Sequence, residues 1–145
     1  MSNTIDFFSA MEVSASGLAA QRTRMNIAAS NLANAQTTRG ADGGPYKRRD
    51  VLLAAANAPS AERTPFANAV KTVEVQQITE DKAPPRLEYD PGHPDANAQG
   101  YVAYPNINPV EEMVDMITAS RAYEAGITTM QTATHMAESA LGIGK

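Results

Sequence analysis

FSAMEVSASGLAAQRTRMNIAASNL, residues 8–32, decides how this chain folds. Phe8, Met11, Ala15, Leu18, Arg22, Met25, Ala29 and Leu32 recur at alternating spacings of three and four, the a/d pattern of a coiled-coil seam, and only Arg22 interrupts it. A second stripe, Val13, Ala20, Ile27 and Asn34, runs along the far side of the same helix, flanked by Ala10, Gly17 and Asn31. Between residues 8 and 36 only Glu12, Arg22 and Arg24 are charged, whereas a solvated face normally carries Glu and Lys. The pattern therefore predicts a helix covered on more than one side. Two starts fit it: a capping box of Ser9 and Glu12 stapled by Phe8 and Val13, or an earlier cap at Asn3 or Asp6. Near its end SNLANAQTT, residues 30–38, crowds Ser30, Asn31 and Asn34 around Leu32 and Ala33, although Ser and Asn compete with the helical backbone for hydrogen bonds. On the far-side stripe they read as hydrogen-bonding groups for a surface buried without charge.

An answering helix lies at the other end of the chain. In NPVEEM, residues 108–113, Asn108 reads as N-cap, Pro109 as first helical residue and Glu111 as a first-turn acid. Met113, Met116, Ser120, Tyr123, Ile127, Met130, Thr134, Ala137 and Leu141 keep the three-four spacing, and GIGK, residues 142–145, supplies glycine stops. Ala119, Gly126, Ala133 and Ala140 add a ridge of small residues at seven-residue intervals. The methionines at 11, 25, 113, 116 and 130 fall on the two seams and read as core. Both helices should run to about 30 residues, or roughly 45 Å. Equal lengths and matching seams predict an antiparallel coiled coil.

All nine prolines fall within residues 38–109. Turn chemistry appears in RGADGGP (39–45), EDKAPP (80–85) and YDPGHPDANAQG (89–100). Between the turns, Val73 with Val75, Leu87 with Tyr89, and Gly100–Tyr104 read as short strands, forming a small antiparallel sheet or a pair of hairpins. Three such strands are marginal alone and should lean on the helices or a partner. The expected fold is mainly α with a small β part, divided at 1–37, 38–105 and 106–145, with the two helical segments making one domain.

Composition narrows the function. At 145 residues the chain suits one domain, and with 6% aromatics and no Trp its packing should rely on small residues. A net charge of −4 argues against wholesale binding of nucleic acid, which needs a basic face. The absence of Cys excludes disulfides and thiolate metal sites. The N-terminus, MSNTIDFFSAMEVS, has neither the basic region nor the sustained apolar run of a cleaved secretory signal, and no stretch approaches a membrane span.

Candidate chemistry is sparse. Asp90, His93 and Asp95 are metal-ligand types, but Pro91, Gly92 and Pro94 make their stretch a polar turn with no second cluster to complete a coordination shell. Tyr46, Lys47, Arg48 and Arg49 form a basic patch that reads as a solvated or partner-facing strand. Neither GGP nor GIGK matches a phosphate-binding loop. No catalytic, cofactor-binding or metal-binding residues are assigned, and the expected role is not enzymatic. The rivals are a soluble coiled-coil adaptor and a small binding domain centred on the Asp90–Asp95 loop.

SASGLAAQRTRMNIAASNLANAQTT (14–38) resembles the N-terminal signature of the bacterial flagellar rod, hook and hook-associated axial proteins, and EEMVDMITASRAYEAGITTMQTATHMAESALGIG (111–144) resembles their C-terminal helix. The short length, GGPYKRRDVLLAA (43–55) and GYVAYPNINPVEEMVDMI (100–117) bring it closest to the proximal rod of the basal body. One departure is Gly126, where the family usually carries Asn. The resemblance implies a structural subunit of a hollow, torque-transmitting rod in the periplasm, exported through the flagellar type III apparatus without signal cleavage. It implies contacts with copies of itself and with the other rod proteins FlgB, FlgF, FlgG and FliE, and no small-molecule substrate. Phe8, Met11, Leu18, Met25 and Leu32 with Met113, Met116, Tyr123, Ile127, Met130 and Leu141 would form the seam within the chain. Ser30, Asn31, Leu32, Ala33 and Asn34, with Val13, Ala20, Ile27, Ala119, Gly126 and Ala133, would touch neighbouring subunits.

Overall fold

A computed structural model describes residues 2–40, 42–57 and 71–142, with side chains from residue 7 onward. Two long helices bracket four strands: α1 (Ser2–Ala33), β1 (Arg49–Asn57), β2 (Lys71–Glu80), β3 (Arg86–Tyr89), β4 (Tyr101–Tyr104) and α2 (Pro109–Gly142). The helices have 32 and 34 residues, so the expectation of near-equal length holds. α1 begins at Ser2, which places the Ser9–Glu12 pair inside the helix; the side chains of Asn3 and Asp6 lie outside the described ones. At the start of α2, Asn108 Oδ1 accepts the Val110 N–H at 3.1 Å, as the N-cap reading requires. Ile143–Lys145, the rest of the expected glycine stop, lie outside the described residues.

The strands form two two-stranded sheets, β1–β2 and β3–β4, which is the pair-of-hairpins alternative. β1 is a strand the sequence reading did not list. Its burial does not alternate cleanly, and its run of alanines carries little strand propensity.

By backbone contacts the chain divides into two units: the described parts of Met1–Thr23, Leu53–Gln76 and Thr118–Lys145, and the described parts of Arg24–Leu52 and Gln77–Ile117. In the first, Ala20 and Ala119 are buried, at 2% and 0% exposure. A Cβ on Gly126 would stand 2.7 Å from Leu18 Cδ2 and 3.3 Å from its Cγ, so the missing side chain is the space Leu18 fills. Gly126 thus has a packing reason. Gly126→Leu is expected to destabilise the fold by about 1–3 kcal/mol through overpacking. Adding Leu18→Ala should recover much of that loss, read as the urea midpoint of the purified chain. In the same unit the Val73 N–H donates to Ser16 Oγ at 3.1 Å, tying β2 to α1.

In the second unit Val102 (0%), Ala28 (5%) and Ile107 (8%) form the apolar core. β3 and β4 are antiparallel, with Leu87 opposite Ala103 and Tyr89 opposite Tyr101. Val102 points inward, while Leu87 and Tyr89 share the exposed face, as the alternation predicts. The turn closes at Gly100, whose φ of +80° only glycine adopts readily and whose Cβ would meet Tyr89 Cε2 at 2.9 Å.

The buried stripes differ from the expected seams. On α1 the expected seam positions Phe8, Ala15, Arg22 and Ala29 are exposed and Met11, Leu18, Met25 and Leu32 are half-buried, while Ala20, Ala28 and Asn31 are buried. On α2 Met113 and Leu141 are 41% and 78% exposed, while Glu112 and Ala119 are buried and Met116, Tyr123, Gly126, Ile127, Met130 and Ala133 are half-buried. Arg22 supplies a physical reason: a charge in the middle of a seam is costly to bury without a partner. An inward face of small residues also lets backbones approach where bulky side chains would hold them apart.

Candidate functional site

The SNLAN segment organises the second unit. α1 stops at Ala33 because the residues after it turn back on the helix: Asn34 Nδ2 donates to the Ser30 carbonyl at 2.9 Å, and Thr37 Oγ1 donates to Asn34 Oδ1 at 3.1 Å. The Thr37 N–H reaches the Asn34 carbonyl at 3.1 Å. Asn34 is therefore a helix-ending group, whereas Ser30 lends the turn only its backbone carbonyl.

Asn31 does something else. It is 1% exposed and uses its full hydrogen-bonding capacity. Nδ2 donates to the Arg49 carbonyl at 2.8 Å and to Glu112 Oε2 at 3.0 Å. Oδ1 accepts the Arg49 N–H at 3.0 Å and the Tyr46 hydroxyl at 3.1 Å. With its proton committed to Asn31, the Tyr46 hydroxyl is left to accept from Ser30 Oγ, 3.3 Å away. By bonding both the N–H and the C=O of Arg49, the Asn31 amide stands in for a neighbouring strand at the start of β1. One side chain thus registers α1, β1 and the first turn of α2.

Glu112 is the charged member. At 2% exposure its carboxylate would be very costly unpaired, and it is held by Arg48 Nε at 2.6 Å and by Asn31. Burial works against the Arg48 charge. The hydrogen bond from Glu112 and the attraction of Glu112, Asp50 and Asp115 outweigh it, so the guanidinium is held above its ordinary pKa. Arg48 also lies 3.7 Å from Asp50 and 4.0 Å from Asp115.

The expected contact residues are therefore divided. Asn31, Ala20 and Ala119 are buried inside the single chain, at 2% exposure or less, so their side chains are already engaged within it. Ser30, Leu32, Asn34, Val13, Ile27, Gly126 and Ala133 are half-buried, and Ala33 is exposed. The sequence reading missed the network of Tyr46, Arg48 and Glu112. It treated Tyr46–Arg49 as a solvated or partner-facing strand, yet Arg48 turns back onto α2. The available signal was Glu112, an acid on the inward side of a helix start.

In the Asp90–Asp95 loop, Asp90 Oδ1 accepts the Gly92 N–H at 3.1 Å, and His93 Nδ1 accepts the Asp95 N–H at 3.1 Å. Asp95 accepts Thr38 Oγ1 at 2.8 Å and lies 3.6 Å from Arg39. These groups hold the turn and tie it to the segment after α1.

A family model described as flagella basal body rod protein matches residues 11–41, and one described as flagellar basal body rod FlgEFG protein C-terminal matches residues 98–143. The chain is 44% identical to the flagellar basal-body rod protein FlgC of Borreliella burgdorferi, over 94% of this chain and 96% of that one. It is 43% identical to the FlgC of Bacillus subtilis, over 95% and 98%, and 41% identical to that of Salmonella typhimurium, over 92% and 95%. Such identity spread over nearly the whole of each chain leaves the helices, the hairpins and the Asn31 segment inside the shared region, and the chain belongs to the FlgC family of flagellar basal-body rod proteins.

Proposed function

We propose that this chain is a structural, non-enzymatic subunit of the flagellar basal-body rod, packed with copies of itself and with other rod proteins. Membership of the FlgC family carries the reading. The physical complement is the pair of long helices with few charges on their outward faces. Ala15, Ala19, Asn26, Ala29 and Ala33 are exposed on α1, with Arg22 the one charge among them. A face of that composition suits a neighbouring helix better than water.

In the assembled rod the terminal segments 1–37 and 106–145 form one rod-core domain, paired as an antiparallel coiled coil. In the first unit Leu18 lies against Gly126 and in the second Asn31 bonds Glu112, so within each unit the N-terminal helix meets the C-terminal one. Head-to-tail contacts that do not close generate a helical array, the geometry a torque-transmitting shaft needs. FlgB, FlgF, FlgG and FliE are the proposed neighbours, the periplasm the proposed location, and the type III apparatus the route of export without signal cleavage. The half-buried residues Ser30, Leu32, Asn34, Val13, Ile27, Gly126 and Ala133, with exposed Ala33, are the remaining candidates for subunit contacts.

Isolated basal bodies test the reading. The chain is expected to co-purify with the rod, and its deletion to abolish motility. Basal bodies that lack the chain would overturn it.

A further inference from the structure

The first turns of α2 carry an apolar face that is left exposed among the described residues. Val110, Met113, Val114 and Ile117 are 62%, 41%, 56% and 49% exposed, at the spacing of one helix face. Farther along, the same exposed side carries Arg121 and Glu124. We infer that this face seats α1 of a second copy of the chain, antiparallel, with Ile117 against Ala29, Met113 and Val114 against Ala33, and Glu124 against Arg22. The inference rests on the rod reading and specifies which surfaces meet.

Two features select this occupant. The first is charge. Arg22 is the one charge on the exposed stripe Ala15, Ala19, Arg22, Asn26, Ala29 and Ala33, and no ion pair joins it to another described residue. Glu124 follows Ile117 by seven positions and Arg22 precedes Ala29 by seven. An antiparallel pair that sets Ile117 on Ala29 therefore brings Glu124 to Arg22. The second is size. Bulky Val and Ile ridges against alanines allow the close interaxial distance of well-packed helices. The parallel alternative, with Ile117 on Ala15, would also pair the charges but sets Val110 against Phe8 and Val114 against Glu12. That opposes two bulky residues and places a carboxylate on an apolar side chain. The two faces belong to different helices, so a contact of α1 on α2 can repeat head to tail from copy to copy.

Four apolar residues make a small contact, below the area of a stable dimer, so a covalent trap is the suitable probe. Because the chain has no cysteine, single cysteines report cleanly. Full-length chain carrying Ala29→Cys is mixed at high concentration with tagged full-length chain carrying Ile117→Cys and mildly oxidised, since a disulfide requires close α-carbons. The mixed disulfide is expected in about tenfold excess over either homodimer. Arg22→Glu in the first chain should remove that excess, and Glu124→Arg in the second should restore it. Absence of an excess, a dominant homodimer of the Ile117→Cys chain, or equal trapping by Ala15→Cys would each overturn the assignment. If the chain is present in basal bodies and the trap fails, the faces are wrong and the rod reading stands. If the trap succeeds and basal bodies lack the chain, the rod reading alone falls.

Discussion

Asn31→Leu is expected to cost the second unit at least about 3 kcal/mol, although leucine is the better helix former. The substitution strands the N–H and C=O of Arg49, the Tyr46 hydroxyl and a Glu112 oxygen, all of which Asn31 satisfies. A buried polar group left without a partner costs about 1–3 kcal/mol, and the losses within one network do not simply add. Hydrogen exchange over residues 24–52 and 109–117 is the appropriate readout, because α1 could keep its helicity while β1 and the start of α2 lose protection. Unchanged protection would show that water replaces the amide. Asn31→Asp should be comparably damaging, since it exchanges a donor for an acceptor beside the Glu112 carboxylate, whose Oε2 lies 3.0 Å from Nδ2.

Arg48→Ala is expected to destabilise the same unit by about 3–5 kcal/mol, the range for removing one member of a buried ion pair. The cost arises mainly at the residue left behind: Glu112 is 2% exposed and would retain only the Asn31 amide. The reverse truncation should be milder. The Arg48 side chain keeps 26% of its surface in solvent and has Asp50 and Asp115 nearby, so Glu112→Ala leaves a charge that can rehydrate. Replacing the pair together, Arg48→Met with Glu112→Leu, should be close to neutral in stability. A double-mutant cycle in urea measures this ordering. Equal costs for both single substitutions would show that Coulomb attraction rather than desolvation dominates the pair.

Both predictions concern residues at the join of three elements that are far apart in the chain. Arg48 and Glu112 are separated by 64 positions, Asn31 and Glu112 by 81. That distance explains what could be read beforehand. The helices were legible because their signals are local: the three-four spacing, the Asn108 cap and the proline-free runs act within a few turns. β2, β3 and β4 were legible because Val73 with Val75, Leu87 with Tyr89, and the turn before Tyr101 alternate or punctuate over short stretches. β1 was not, since its alanines pack equally well in a helix.

The candidate site was only half legible. Ser30, Asn31 and Asn34 stood out as residues at odds with a helix, and that oddity did mark the organising segment. Their tasks could not be separated along the chain, because ending a helix and bridging to a strand call for the same polar types. Tyr46 and Arg48 looked like a solvated strand for a related reason: a cation shows its acid only when the partner element is placed.

By itself, then, the amino-acid order determined two long helices, a turn-rich β middle, a sparsely charged helical surface and membership of a rod family. Tertiary structure decided which face of each helix turns inward. Several stripes on each helix share the same spacing, so periodicity alone selects none of them. The choice fell to the groups that tolerate burial least. Among the described residues Arg22 has no ion-pair partner and it faces out, whereas Glu112 meets Arg48 and Asn31 and goes in. Pairing of charge, which no local pattern records, thereby set the rotation of the helices and the surfaces left for other subunits.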